Sequence, residues 1–255
     1  MENERQDCGR AGDCCQAGRE KEIFMHRTLS RNQLKWIAIW TMVIDHIGYI
    51  LIPKGIMPVL YYIMRGIGRL SFPLICFLLV QGFIYTRSLG KYLARIGCFA
   101  LISEIPYDLA FSGKPAAWSS QNIFFTLGIG LAVLWGIAEV GKRIVGVARG
   151  IADFLILFAG MGTAVLLRCD YSMWGVLMIT VFYVCRYDFG ALLRLFPVIC
   201  LCQSWMEALA ALALIPVKLY SPDQEQGRTR MPRGFFYWFY PLHLLVLWGI
   251  YKWIC

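Results

Sequence analysis

Residues 36–52 read Trp36-Ile-Ala-Ile-Trp-Thr-Met-Val-Ile-Asp45-His46-Ile-Gly-Tyr-Ile-Leu-Ile52, a run apolar enough for a membrane helix that nevertheless carries a carboxylic acid beside an imidazole. A charged carboxylate near the centre of such a helix costs roughly 2.5–3.5 kcal/mol even on the lenient insertion scale. Something must offset that cost, and a binding or reactive site is the default reading. Lys35 precedes His46 by eleven positions, about three turns, so both project from nearly one helix face, roughly 16 Å apart along the axis. That spacing sets a cation at one membrane surface and an imidazole near mid-depth.

Working outward, the same character recurs along the chain. Of 255 residues 58% are hydrophobic and 16% charged, against about 25% charged in soluble domains; mean hydropathy is +0.57. This composition predicts an all-α, polytopic membrane bundle occupying residues 31–255 as one domain. Residues 1–30 form a polar tail, expected to be poorly ordered and without the apolar core of a secretory signal. The net charge of +9 does not indicate nucleic acid, because the cations cluster in short connections between apolar runs. Of the ten cysteines, Cys76, Cys98, Cys185, Cys200 and Cys202 sit in apolar runs as small hydrophobes. Cys8, Cys14 and Cys15 in the tail show no ligand spacing, and no metal is expected.

Apolar spans are expected at about 34–52, 67–86, 92–111, 121–140, 151–168, 171–185, 191–217 and 235–254, with 221–234 as a surface loop. Arg87, Lys91 and Arg95, then Lys142, Arg143 and Arg149, mark inside loops and set the N-terminus in the cytoplasm. The 191–217 stretch is interrupted by Gln203 and Glu207. One tilted helix there gives eight spans, favoured by length; two short ones give nine, favoured by the basic residues Lys218, Arg228, Arg230 and Arg233.

The remaining intramembrane polar groups fall in pairs. Arg65 and Arg69 are four apart, like charges that repel at that spacing and so call for an anionic partner. Glu104 and Asp108 are also four apart, around Pro106, with Tyr107 between. Cross-helix ion pairs that merely hold the bundle account for these groups as well as a polar pocket does. Gln121 and Asn122 open the fourth span, where Asn is also a favoured N-cap. Tyr240 and His243 lie one turn apart near the end, and a satisfied core histidine is the plain reading of the second. For His46 the functional reading is preferred, since an imidazole is a general base near neutral pH.

Leu34-Lys-Trp-Ile-Ala, Met42-Val-Ile-Asp-His-Ile-Gly48, Arg65-Gly-Ile-Gly-Arg-Leu-Ser-Phe-Pro73 and Gln81-Gly-Phe-Ile-Tyr-Thr-Arg87 resemble the TraX family. So do Ser103-Glu-Ile-Pro-Tyr-Asp-Leu109, Gln121-Asn-Ile-Phe-Phe-Thr126 and Phe239-Tyr-Pro-Leu-His243. The resemblance spans about residues 30–254 in order, although Gln81 stands where the family is expected to favour Glu. It implies a bacterial inner-membrane protein linked to N-terminal acetylation of a pilin subunit. A looser likeness reaches the acyltransferase-3 group, whose first helix carries Arg/Lys-x10-His, as Lys35 and His46 do; Phe77-Leu-Leu-Val-Gln-Gly-Phe83 echoes its following segment.

The resemblance implies transfer of acetyl from cytoplasmic acetyl-CoA to an amine or hydroxyl of a pilin-like protein or a glycan. His46 would be the base and Asp45 would orient it. Lys35, Arg69, Arg87 and Arg95 would hold coenzyme A. Glu104, Tyr107, Asp108, Gln121, Asn122, Tyr240 and His243 would shape the pocket, with Asn122 donating to the thioester oxygen. The alternatives are a proton-coupled carrier using Asp45, His46, Glu104 and Asp108 as a relay, and a scaffold of a conjugation or secretion apparatus without activity.

Overall fold

A computed structural model describes residues 29–117, 119–222, 232 and 234–254. The tail up to residue 28, with Cys8, Cys14 and Cys15, and most of the 221–234 loop, with Arg228, Arg230 and Arg233, lie outside the described residues. Within them the chain is helical: α1 (Arg31–Leu51), α2 (Pro58–Gly68), α3 (Ser71–Tyr85), α4 (Leu89–Ser112), α5 (Ile123–Val140), α6 (Val147–Leu166), α7 (Ser172–Val184) and α8 (Phe189–Gln203). A 3-10 segment (Glu207–Ala213), the short α9 (Leu214–Lys218) and α10 (Phe235–Ile254) complete it.

Four helical segments among the described residues are long and apolar enough to cross a membrane: Arg31–Leu51, Pro58–Tyr85, Ile123–Val140 and Val147–Leu166. Ser172–Val184 and Phe189–Gln203 are shorter apolar helices. On α6 the large side chains of Phe154, Leu155 and Phe158 all face outward. Water would not tolerate that face on a folded surface, whereas lipid is its natural solvent. The protein is a helical membrane protein.

Local chemistry sets the boundaries. Ser30 caps α1 in a capping box: its hydroxyl accepts from Gln33 N, and Gln33 Oε1 accepts from Ser30 N at 2.9 Å. Pro58 occupies the first turn of α2, where a missing N–H is harmless. Gly113 closes α4 with φ +69°, a conformation that disfavours a Cβ. Asn122 caps α5 by accepting from Phe124 N at 3.0 Å.

Two departures from the sequence expectation matter for the site. The second span begins at Pro58 rather than near 67 and breaks at Arg69–Leu70, between α2 and α3. The charges and glycines of 65–69 dilute the hydropathy there and conceal the first half. The 191–217 stretch is not one helix. It stops at Gln203, turns through Ser204–Met206, and returns as the 3-10 segment and α9. The returning chain reaches the start of α1, where Leu29 N donates to Leu219 O and Ser221 N to Leu29 O, both at 3.0 Å. Phe235, opening α10, packs its ring 5.7 Å from that of Trp36, so α10 starts at the same end.

Candidate functional site

Helices α1, α2 and α3 meet at a cavity of about 200 Å³ whose lining includes Asp45, His46, Arg65, Arg69, Asp170 and Tyr171. Glycines make this meeting possible. Gly48 on α1 lies against Met64, where a Cβ would come within 2.7 Å of the Met64 Cβ, and a Cβ on Gly68 would overlap the Asp45 carboxylate. Gly68→Ala is therefore expected to destabilise the fold by about 1–3 kcal/mol through overpacking. Gly97→Ala, with open space around the added carbon, is the control. Thermal unfolding of the two variants in detergent checks this, and equal stability would contradict the packing described.

The carboxylate that Gly68 admits is the hub of a charged network. Arg65 Nη1 donates to Asp45 Oδ2 at 2.6 Å, and Arg69 Nη2 lies 3.3 Å from Asp45 Oδ1. Arg69 also donates to Glu207 on the returning segment through Nη1, and to the Arg65 carbonyl through Nε at 3.3 Å. The anionic partner that Arg65 and Arg69 call for is thus Asp45 with Glu207, not Glu104 with Asp108. Asp45 is engaged by these arginines, as its place next to His46 on one helix allows, since adjacent helical residues do not face each other.

His46 finds another partner. Its Nδ1 lies 2.7 Å from Nε2 of His243, and His243 Nδ1 lies 2.8 Å from the carbonyl of Phe239. The two rings are within 15° of parallel with centroids 5.0 Å apart. Two ring radii added to the N···N distance give that separation, so the rings meet edge to edge with the bond along the line of centres. They are not stacked face to face. Phe111 and Tyr240 flank the His46 ring in T-shaped contacts, with centroids 5.5 and 6.3 Å away.

Asp170 and Tyr171 belong to the connection between α6 and α7, which sequence reasoning treated as a plain boundary between spans. The backbone there is strained, with φ +54° at Arg168, +60° at Tyr171 and +46° at Ser172. Gln121 holds it: Gln121 N donates to Arg168 O at 3.0 Å and Asp170 N to Gln121 O at 2.9 Å, while Thr126 Oγ1 donates to the Asp170 carbonyl. Tyr171 stacks on Phe72 at 3.7 Å. Burial pushes the Asp170 carboxyl up to about 6, against the opposing field of Arg69. No local pattern set Asp170 apart in the sequence, because acidic residues are ordinary in connections between helices.

The other expected pocket residues divide. Tyr107 and Tyr240 line the cavity. Gln121 acts through its backbone, as above. Asn122 is fully buried and fully engaged: Oδ1 accepts from Phe124 N, while Nδ2 donates to the Ala100 carbonyl at 2.7 Å and to Glu104 Oε2. No Asn122 hydrogen remains for a thioester oxygen, which corrects that expectation. Asp108 Oδ2 accepts from Ala117 N at 2.6 Å and ties down the loop after α4. Neither Glu104 nor Asp108 lines the cavity.

A second cavity, of about 450 Å³, includes Arg31, Lys35, Tyr85, Tyr92, Arg95 and Tyr237 in its lining. It adjoins the first, since Ile75 lines both. Lys35 and Arg95 thus come together, with Arg31 added. Arg95 lies 5.7 and 5.5 Å from the ring centroids of Tyr92 and Tyr237. Arg87 is exposed and lines neither cavity, and Arg69 belongs to the charged network instead.

Residues 30–251 match the protein family described as TraX protein. The chain is also 29% identical over 237 residues to the probable fimbrial assembly protein FimC, serogroup H1, of Dichelobacter nodosus, covering 84% of this chain and 93% of that relative. No solved structure matches.

Proposed function

The chain belongs to the TraX family, and on that premise we propose that it is an inner-membrane acyltransferase moving acetyl from acetyl-CoA to an amine or hydroxyl on the surface fibre its host assembles. The observation that carries this reading is the pair of adjoining cavities walled by α1, with cations at one and His46 at the other. Arg31, Lys35 and Arg95 suit the phosphates of coenzyme A, and Tyr85, Tyr92 and Tyr237 offer faces for its base. The thioester supplies the activated acyl group, and His46 takes the proton of the attacking acceptor. The likeness of Lys35 and His46 to the first-helix pattern of the acyltransferase-3 group supports the same roles.

Nine crossings fit this arrangement, with the N-terminus in the cytoplasm. The 3-10 segment and α9 return the chain to the α1 start, so α10 departs from the same side. Inward-facing cations then meet a cytoplasmic donor. The relative named as a probable fimbrial assembly protein supports a fibre subunit as the acceptor.

The test is incubation of purified protein with labelled acetyl-CoA and cell fractions, following label into protein or glycan. Absence of transfer, together with absence of coenzyme A binding at millimolar concentration, would overturn the reading. Arg95→Glu is expected to raise KM for acetyl-CoA about tenfold, the equivalent of one phosphate contact of about 1.4 kcal/mol, with kcat little changed. An unchanged KM would remove the basic cavity from the donor site.

A second reading is favoured by the Asp45–Arg65–Arg69–Glu207 network, which ties α1, α2 and the returning segment together without needing a substrate. Under it the protein is a non-catalytic assembly factor. Normal fibre formation by a His46→Ala strain would fit that reading and not the first.

A further inference from the structure

We infer that His243 is a positioning residue that holds the His46 proton on Nδ1, leaving the Nε2 lone pair as the base; this rests on the acyl-transfer reading above. The hydrogen-bond chain has one fixed end, the Phe239 carbonyl. The Phe239 carbonyl can only accept, so the His243 Nδ1 facing it at 2.8 Å must carry a hydrogen. In a neutral ring the second nitrogen then bears a lone pair. His243 Nε2 is therefore an acceptor, and His46 Nδ1, 2.7 Å away, must be the donor. A neutral His46 has one N–H, now placed, so its Nε2 is bare. The collinear, nearly coplanar meeting of the rings suits this bond, because both the N–H and the lone pair lie in the ring planes.

The chain is also built to stay put. His243 is buried, and its ring stacks on Phe239 with centroids 5.0 Å apart and planes within 10°. It thus reads out a backbone atom of its own helix and transmits that choice to a residue 197 positions earlier. Which nitrogen of an imidazole is protonated is set by the bond the other makes, so His243 does for His46 what a carboxylate does in many other sites.

The acceptor nitrogen or oxygen forms a bond to the acyl carbon while its proton passes to His46 Nε2. The Nδ1 proton shifts toward His243 Nε2, spreading the positive charge over both rings. The carbon–sulfur bond breaks, and the departing thiolate takes a proton from the pair, restoring both neutral rings.

Nitrogen-15 NMR of histidine-labelled protein in lipid bilayers tests the inference directly, since the chain has three histidines, His26, His46 and His243. Single His→Asn variants assign the signals. The expected result is His46 protonated at Nδ1 and bare at Nε2, with that preference lost in His243→Phe. Protonation of His46 at Nε2 in the unaltered protein would overturn the inference whether or not His243→Phe folds. Acetyl transfer should fall about 10- to 100-fold in His243→Phe, the scale on which losing an orienting partner acts. His243→Gln, which keeps an acceptor oxygen, should recover most of the rate; equal loss in both would mean a merely structural role. If no transfer is seen in the unaltered protein while His46 shows the stated tautomer, the acyltransferase reading fails and the hydrogen-bond chain stands.

Discussion

Replacing His46 with alanine is expected to slow acetyl transfer by about 10²- to 10⁴-fold, the range that general base catalysis contributes, while the protein still accumulates in the membrane. The stability side of this expectation is a matter of magnitudes. His46 is half-buried at the edge of a cavity, so truncating it extends an existing space and opens no sealed void. The bond to His243 is lost, and leaving the buried Nε2 without a donor costs about 1–3 kcal/mol. His243 retains its bond to Phe239. A folded protein with a defective reaction is the outcome to look for. Initial rates from labelled acetyl-CoA, in membranes matched for amounts of protein, decide it. Undiminished rates would leave the imidazole without a role in the chemistry.

How much of this site could be read from the chain depends on the range of each interaction. Features fixed by neighbours in sequence were legible. The helix containing Asp45 and His46 is announced by its hydropathy, and Asn122 as a cap and the demand of Arg65 and Arg69 for an anion follow from local rules. Pairings across the fold were not. His46 meets His243 across 197 positions and Arg69 meets Glu207 across 138, and no local periodicity carries that information. Glu207 was visible only as an interruption of an apolar run. Its reason is that the chain turns back there and presents the carboxylate to Arg69. Asp170 hid in a connection, where acidic residues are ordinary, and only the strained backbone around it turns it to the cavity. Asn122 shows the converse: its capping role was readable, but the two further bonds that exhaust its amide come from α4.

The largest expected effect on stability falls at Arg69. Its guanidinium serves Asp45 and Glu207 at once and is the one cation within ion-pair distance of Glu207 among the described residues. Glu207 is itself buried, and its Oε2 has no hydrogen-bond partner, so nothing else compensates its charge. Arg69→Leu is therefore expected to destabilise the protein by about 3–5 kcal/mol, the cost of stranding a buried charge. Arg65→Leu should cost less, because Asp45 keeps Arg69 and Glu207 is untouched. Adding Glu207→Gln to Arg69→Leu should recover part of the loss, since it removes the stranded charge while keeping the side chain's shape. Unfolding temperatures of the three variants in one detergent test the order. A stable Arg69→Leu, or an Arg65→Leu more damaged than it, would contradict the network. The recovery matters most, because a side chain that only filled space at position 69 would gain nothing from neutralising Glu207, whereas a shared counter-ion must.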